Sequence, residues 1–366
     1  MLNVNSIRAC REQVGLSQEE LGQKIGVTRQ TIAAWETGDR DPSLVQLTKI
    51  AKQLGVSVEL LLNLEAADEV AQPEVCLLFR ADEPSALTPT LQASLTEKAT
   101  NYAAIEKILE ELPVLPEQRP LEGYNDYVVE EIARDVRDWL GVSESSPLGN
   151  ALALLESKGL KVILHPLPTA ISGFSAYTNR LGTVIFINQN HPTERKFFTA
   201  LHELAHLIFH RQEYKTGLEP LVSTRNKKDP REKAADHLSG AVLLSENILR
   251  KELHSYRNRW LPEPLLADLK RRYGVSLRTV LRRAEQVGII SQKQMGQQLG
   301  ILNKKYGFDA EQPTLPKPPG LTRLERLVYL ALIRQEITAS RAAEILGKPL
   351  TDVREELNDW MEENTL

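Results

Sequence analysis

Cysteine is nearly missing from this 366-residue sequence: Cys10 and Cys76 are its only two, distant from each other and outside any CxxC pair. That excludes a disulfide framework and CxxC chemistry. Long apolar runs are missing too, and none reaches the roughly 18–20 residues needed to span a bilayer. The opening stretch, MLNVNSIRACREQVG, lacks the basic segment followed by an apolar one that marks a secretory leader. No membrane association is expected, and the expected address is cytoplasmic. A strong overall charge is also lacking, since 45 basic and 49 acidic side chains leave a net −4.

That near-balance conceals an uneven distribution. Residues 1–63 carry seven basic and seven acidic side chains, residues 64–125 four against twelve, and residues 270–305 nine against one, Glu285. The last run reads either as solvated helix faces or as a patch for nucleic acid or an acidic partner.

The length is enough to bury two or three cores. Residues 1–63 show helical apolar spacing punctuated by Gly15, Gly26, Gly38 and Gly55. Residues 64–125 form an acidic, proline-punctuated connector with one helix expected over Leu95–Leu112 and an apolar piece at Val75–Phe79. An α+β pattern follows over 126–262. Helices are expected at Val128–Leu140 and Gly149–Lys158, and strands at Lys161–Leu164, Gly173–Tyr177 and Thr183–Asn188. Residues 263–312 read as a basic helical extension, and 313–366, after a proline-rich break, as a last helical unit. The expected fold is mainly α with a small β-sheet.

The first functional signal is LSQEELGQKIGVTRQTIAAWETGDRDPSLVQLTKIAKQLGV. Ser17 with Glu20 forms a capping box, Gly26 supplies a sharp turn, and Thr28 caps a second helix whose Ile32 and Trp35 face inward. This is a helix-turn-helix, and across residues 4–63 it resembles the Xre/Cro-like repressor domain. In that fold the second helix enters the major groove, which makes Thr28, Arg29, Gln30 and Thr31 the base-reading candidates. The resemblance implies a phosphate contact from Gln18, and Arg40 is a further phosphate candidate. Zero net charge over 1–63 keeps a purely protein-binding role in view.

The second signal is FFTALHELAHLIFH, residues 197–210. His202 and His206, four apart on a helix, project from one face at the spacing a zinc ion accepts. Glu203 is placed to take a proton from the water that the metal acidifies. Phe198, Leu201, Ala205 and Ile208 are expected to form the buried stripe, and His210 to lie at the surface. A catalytic site needs a third ligand, and DPREKAADHLSGAVLLS supplies Glu232, with Asp236 on the same face to hold a ligand histidine from outside. His237 competes less well, since it points about 100° away from Asp236.

From about Ile171 to Ser245 the chain resembles the ImmA/IrrE family of metallopeptidases. The likeness rests on SGF before the helix, Ile187-Asn188 ending a strand, FTALHELAH, and ExxAD before an LL-rich helix end. Leu238 and Asp236 stand where the family more usually has an aromatic residue and an asparagine. The resemblance implies a zinc-dependent endopeptidase that cleaves a repressor protein, or itself, in a stress response. A substrate segment is expected to pair with an exposed edge strand, Gly173–Tyr177 or Thr183–Asn188. Tyr177 is a candidate helper for the oxyanion. The acidic connector is a candidate self-cleavage region. Expected partners are double-stranded operator DNA, bound as a homodimer, and single-stranded DNA at the 270–305 run through Arg271, Arg272, Arg278, Arg282 and Arg283. Two alternatives remain: a metal-bound sensor without catalysis, and a toxin–antitoxin type regulator.

Overall fold

Helices begin where the sequence supplies an oxygen to cap them. Ser17, Thr28, Asn125, Asn150, Asp229, Ser245, Ser276, Ser291, Thr322 and Thr338 each accept a backbone N–H one turn into a helix. Each such cap stabilises its helix by about 1 kcal/mol. Glycines in the left-handed conformation, Gly26 and Gly274 among them, stop the preceding helix inside a helix–turn–helix.

The computed structural model describes residues 7–8, 10–11, 16–54, 61, 88–111, 115–121, 123–178, 181–211, 229–307 and 311–363. The apolar piece Val75–Phe79 lies outside them. Among the described residues the fold is mainly α, with 15 α-helices and one three-stranded sheet. No described helix is long and apolar enough to cross a membrane. The chain divides into two compact units, Met1–Cys76 with Pro89–Ser94 and Leu77–Thr88 with Leu95–Leu366.

The first unit contains α1 (Gln18–Ile25), α2 (Arg29–Thr37) and α3 (Leu44–Leu54). Leu21, Ile32, Trp35, Leu47 and Ile50 close its core. Gly22 is required by a close approach, since a Cβ there would lie 2.8 Å from the carbonyl oxygen of Val27. A buried ion pair also braces the unit: Arg11 Nε donates to Glu36 at 2.6 Å and its Nη1 to the Leu16 carbonyl at 2.7 Å.

The helix α4 (Pro89–Ile108) gives its first residues, Pro89–Ser94, to the first unit and the rest, from Leu95, to the second. It starts earlier than the expected Leu95 because proline is tolerated in a first helical turn, where its missing N–H costs nothing. Then come α5 (Asp126–Leu140), α6 (Ala151–Ser157), β1 (Lys161–His165), β2 (Gly173–Thr178) and β3 (Gly182–Asn188). The sheet order is β1-β3-β2, with β1 parallel and β2 antiparallel to β3. Thr183–Asn188 is therefore the central strand, which removes it as an edge for substrate; β2 is an edge. The helices α7 (Thr193–Phe209) and α8 (Pro230–Leu243) pack on each other, α7 also on β2 and β3, and α8 on α5.

After α9 (Glu246–Glu252), α10 (Glu263–Tyr273), α11 (Leu277–Gln286) and α12 (Gln292–Tyr306) send Leu266, Leu269, Val280, Leu281 and Leu302 into the same core as α5, α7 and α8. The last helices, α13 (Arg323–Ile333), α14 (Ala339–Leu346) and α15 (Leu350–Glu363), bury Val328, Tyr329, Ala342, Ile345 and Val353. Glu106 of α4 binds both Lys161 of β1, at 2.7 Å, and Arg323 of α13.

Candidate metal centre and helix-turn-helix surface

The sequence of α7 makes it a buried helix: Leu201, Leu204, Ala205, Leu207 and Ile208 are all at most 1% exposed. Phe198, expected in that buried stripe, is only half-buried and lies beside the ring of His202, 6.4 Å between centroids. Two features press α7 against β2. A Cβ on Gly173 would stand 2.6 Å from both the Phe186 carbonyl oxygen and Thr199 Cγ2, so only glycine permits the approach. Two residues on, and on the same face of the strand, the buried Ser175 hydroxyl donates to Glu203 Oε2 at 2.6 Å. Tyr177 shares that face by strand alternation. Asn188 shapes the neighbouring loop, its amide donating to the carbonyls of Leu167, Pro168 and Ile171.

His202 Nε2 and His206 Nε2 face each other at 3.0 Å. Glu232, on the first turn of α8, places Oε2 3.2 Å from His202 Nε2 and Oε1 3.6 Å from His206 Nε2. These three are the one group among the described residues whose ligand atoms converge as a metal site requires. A tetrahedral ion with bonds of roughly 2.0–2.1 Å sets its ligand atoms about 3.3 Å apart. The separations of 3.0, 3.2 and 3.6 Å bracket that edge. The outer nitrogen of His202 is 3.0 Å from Asp236 Oδ1, an acceptor, so that nitrogen carries the proton. With its inner nitrogen deprotonated, His202 aims a lone pair where a cation would sit, and without a cation a proton takes that place. The electrostatics also ask for positive charge. Burial works against a charged His202, but hydrogen bonds to Asp236 and Glu232 and the fields of Asp236 and Glu203 raise it to about 10. The donor set and its spacing fit zinc.

Residues 7–61 match the helix-turn-helix family, and residues 155–285 match the IrrE N-terminal-like domain. The chain belongs to the helix-turn-helix regulators and carries an IrrE-like domain. The uncharacterized HTH-type transcriptional regulator YqaE of Bacillus subtilis is 31% identical over 107 residues, which is 29% of this chain and 90% of YqaE. YgzD of the same organism, also an HTH-type regulator, is 47% identical over 55 residues, 15% of this chain and 83% of YgzD. A solved Mycobacterium tuberculosis transcriptional regulator aligns over 50% of this chain and 51% of its own, at 17% identity and a TM-score of 0.31. The chain thus spans about half of that structure, and a likeness at this level carries nothing further.

Within the IrrE-like domain two expectations are corrected, one about His210 and one about the basic run. His210 is not at the surface: it is 6% exposed and its Nδ1 lies 3.2 Å from Nδ1 of His206. His237, the weaker competitor for the third ligand position, stands apart from the group of His202, His206 and Glu232, bonded to Tyr124 at 2.9 Å and to Glu130 at 2.7 Å. The basic run is largely neutralised. Arg283 is 1% exposed and bound to Glu130, Lys270 to Glu194 and Glu311, Arg278 to Glu311, and Arg272 to Glu252 and Asp268. Of the five arginines named for single-stranded DNA, Arg271 and Arg282 are exposed and, among the described residues, without such an ion pair. In the connector, residues around Pro116–Arg119 are tied to α7: Arg119 N–H donates to the Ile208 carbonyl, and Arg211 to that of Pro116.

In the helix-turn-helix domain Arg29, Gln30 and Arg40 are exposed and Thr31 is half-buried. The Thr28 hydroxyl caps α2 and meets the Thr31 hydroxyl at 2.9 Å. Gln18 donates its amide to Glu36 Oε2 at 2.8 Å. Ser175 and His210 are the site residues that sequence reasoning missed. Strand parity from Gly173 signals the first, and the i, i+4 continuation from His206 the second.

Proposed function

We propose that the chain is a DNA-bound zinc endopeptidase that cleaves a repressor protein or itself during a stress response. The observation that carries this reading is the convergence of His202, His206 and Glu232 at tetrahedral spacing, with a buried glutamate beside them. His202, His206 and Glu232 would hold the ion, and Asp236 would fix the His202 ring. When bound, zinc supplies Lewis acidity toward water and toward a peptide carbonyl. Glu203 is the general base: it is buried, and Ser175 holds one carboxylate oxygen so that its rotation is set before a proton arrives. The edge strand β2 offers backbone groups for an extended substrate, with Tyr177 on its helix-facing side to serve the oxyanion.

A DNA-binding role is supported by the matched helix-turn-helix residues and the exposed N-terminus of α2. Arg29 would read a guanine and Gln30 an adenine, with Thr28 and Thr31 alongside and Arg40 on phosphate. Operator binding as a homodimer is the reading that suits such domains.

The test compares the wild-type chain with Glu203→Gln, each loaded with zinc and incubated alone and with co-expressed repressors. Fragments are read by mass spectrometry and operator binding by gel shift. Zinc-dependent cuts that vanish in the variant support the enzyme. Stoichiometric zinc and intact DNA binding without any cut would replace it with the metal-bound sensor.

A further inference from the structure

His210 ends α7 and has no place in the mechanism above, yet it is 6% exposed beside a His206 that is 1% exposed. Its backbone N–H donates to the His206 carbonyl at 2.8 Å, which keeps the two rings one helical turn apart. Their centroids are 5.3 Å apart, and the two Nδ1 atoms meet at 3.2 Å. A neutral imidazole carries one ring proton, so a hydrogen bond between two Nδ1 atoms has one donor and one acceptor. If His210 were the donor, His206 would carry its own proton on Nε2. That proton would point at His202 Nε2, 3.0 Å away, and no lone pair of His206 would face the site. If His206 is the donor, its Nε2 presents a lone pair beside that of His202.

We infer that His210 is a positioning residue: it accepts the Nδ1 proton of His206 and so selects the His206 tautomer that can bind a metal. This rests on the zinc reading above. Asp236 performs the same task for His202 from the partly exposed side of the site. The two ligand histidines are thus oriented from outside by a carboxylate and by a buried imidazole. Because His206 is almost wholly buried, water replaces the lost acceptor poorly.

The test uses the full chain at one fixed pH with two substitutions. His210→Leu removes the acceptor, and His210→Asn puts an amide oxygen near the position of Nδ1. Zinc affinity is measured by chelator competition. The tautomer of His206 is read in the metal-free protein by long-range proton–nitrogen NMR of labelled histidines. Melting of the metal-free variants reports their folding. The expected results are a proton on Nδ1 of His206 in the wild type, zinc binding about 10–100-fold weaker in His210→Leu, and near-complete rescue in His210→Asn. Unchanged zinc affinity in a folded His210→Leu overturns the inference, as does a proton on Nε2 of His206 or equal loss in both variants. Should His210→Leu not fold, the wild-type tautomer and the asparagine variant still decide. A wild type that binds no zinc at all refutes the metal reading itself, an outcome separate from these.

Discussion

Glu130 of α5 offers the sharpest test of how the helix that carries Glu232 is held. Its carboxylate accepts from Arg283 Nη1 at 2.6 Å and from His237 Nε2 at 2.7 Å, which ties α5 to α11 and α8. Arg283 is 1% exposed and fits only because position 240 is glycine: a Cβ there would lie 2.8 Å from Arg283 Cδ. Burial works against a charged Glu130, but hydrogen bonds from His237 and Arg283 and their fields lower it from 4.5 to about 2. At about 1.4 kcal/mol per pKa unit, that shift corresponds to roughly 3 kcal/mol. The side chain is 19% exposed, and solvent screening reduces the figure. Breaking a buried pair from one side typically costs about 3–5 kcal/mol. Glu130→Gln is therefore expected to lose about 2–4 kcal/mol at pH 7, measured by urea unfolding followed by circular dichroism. A carboxylate with a depressed folded pKa stabilises above its unfolded value and loses that contribution as pH falls through its folded value. The gap between wild type and variant should accordingly close between pH 4.5 and about 2. A gap under about 1 kcal/mol at pH 7, or one that does not change down to pH 3, would refute the reasoning. The double variant Glu130→Gln, Arg283→Met should recover part of the loss, since no charge is then left buried alone.

Three further outcomes are expected. Burial raises Glu156 of α6 from 4.5 to about 7 against the pull of Arg323 and Arg326, so its ionisation penalises the fold increasingly between those values. Glu156→Gln should raise stability at pH 8 by up to about 3 kcal/mol and leave it unchanged at pH 4; equal effects at both would contradict the assignment. Gly173→Ala must push β2 from α7, costing about 1–3 kcal/mol; an unchanged melting temperature would show that the approach is looser than described. Zinc at one hundred times its Kd should stabilise the wild type by about 2.7 kcal/mol, reversed by chelator, and by much less in Glu232→Gln. Equal stabilisation of both would remove Glu232 from the ligand set.

The features legible before folding are local ones. The caps at Ser17, Thr28 and Asp229, the turn at Gly26, and the i, i+4 placement of His202 and His206 follow from rules acting within one or two helical turns. The three strands were legible to within a residue or two because alternation has a short period. Their order was not, because pairing depends on the whole chain, and so Thr183–Asn188 was mistaken for an edge. The basic run from Lys270 to Lys305 stays between two readings in the sequence for the same reason: its acidic partners Glu130, Glu194 and Glu311 are distant in sequence and meet it only on packing. His210 is the clearest case. Its spacing placed it on the histidine face, but whether that face met water or protein at its last turn was decided by tertiary burial. That burial turns a surface imidazole into a partner for His206.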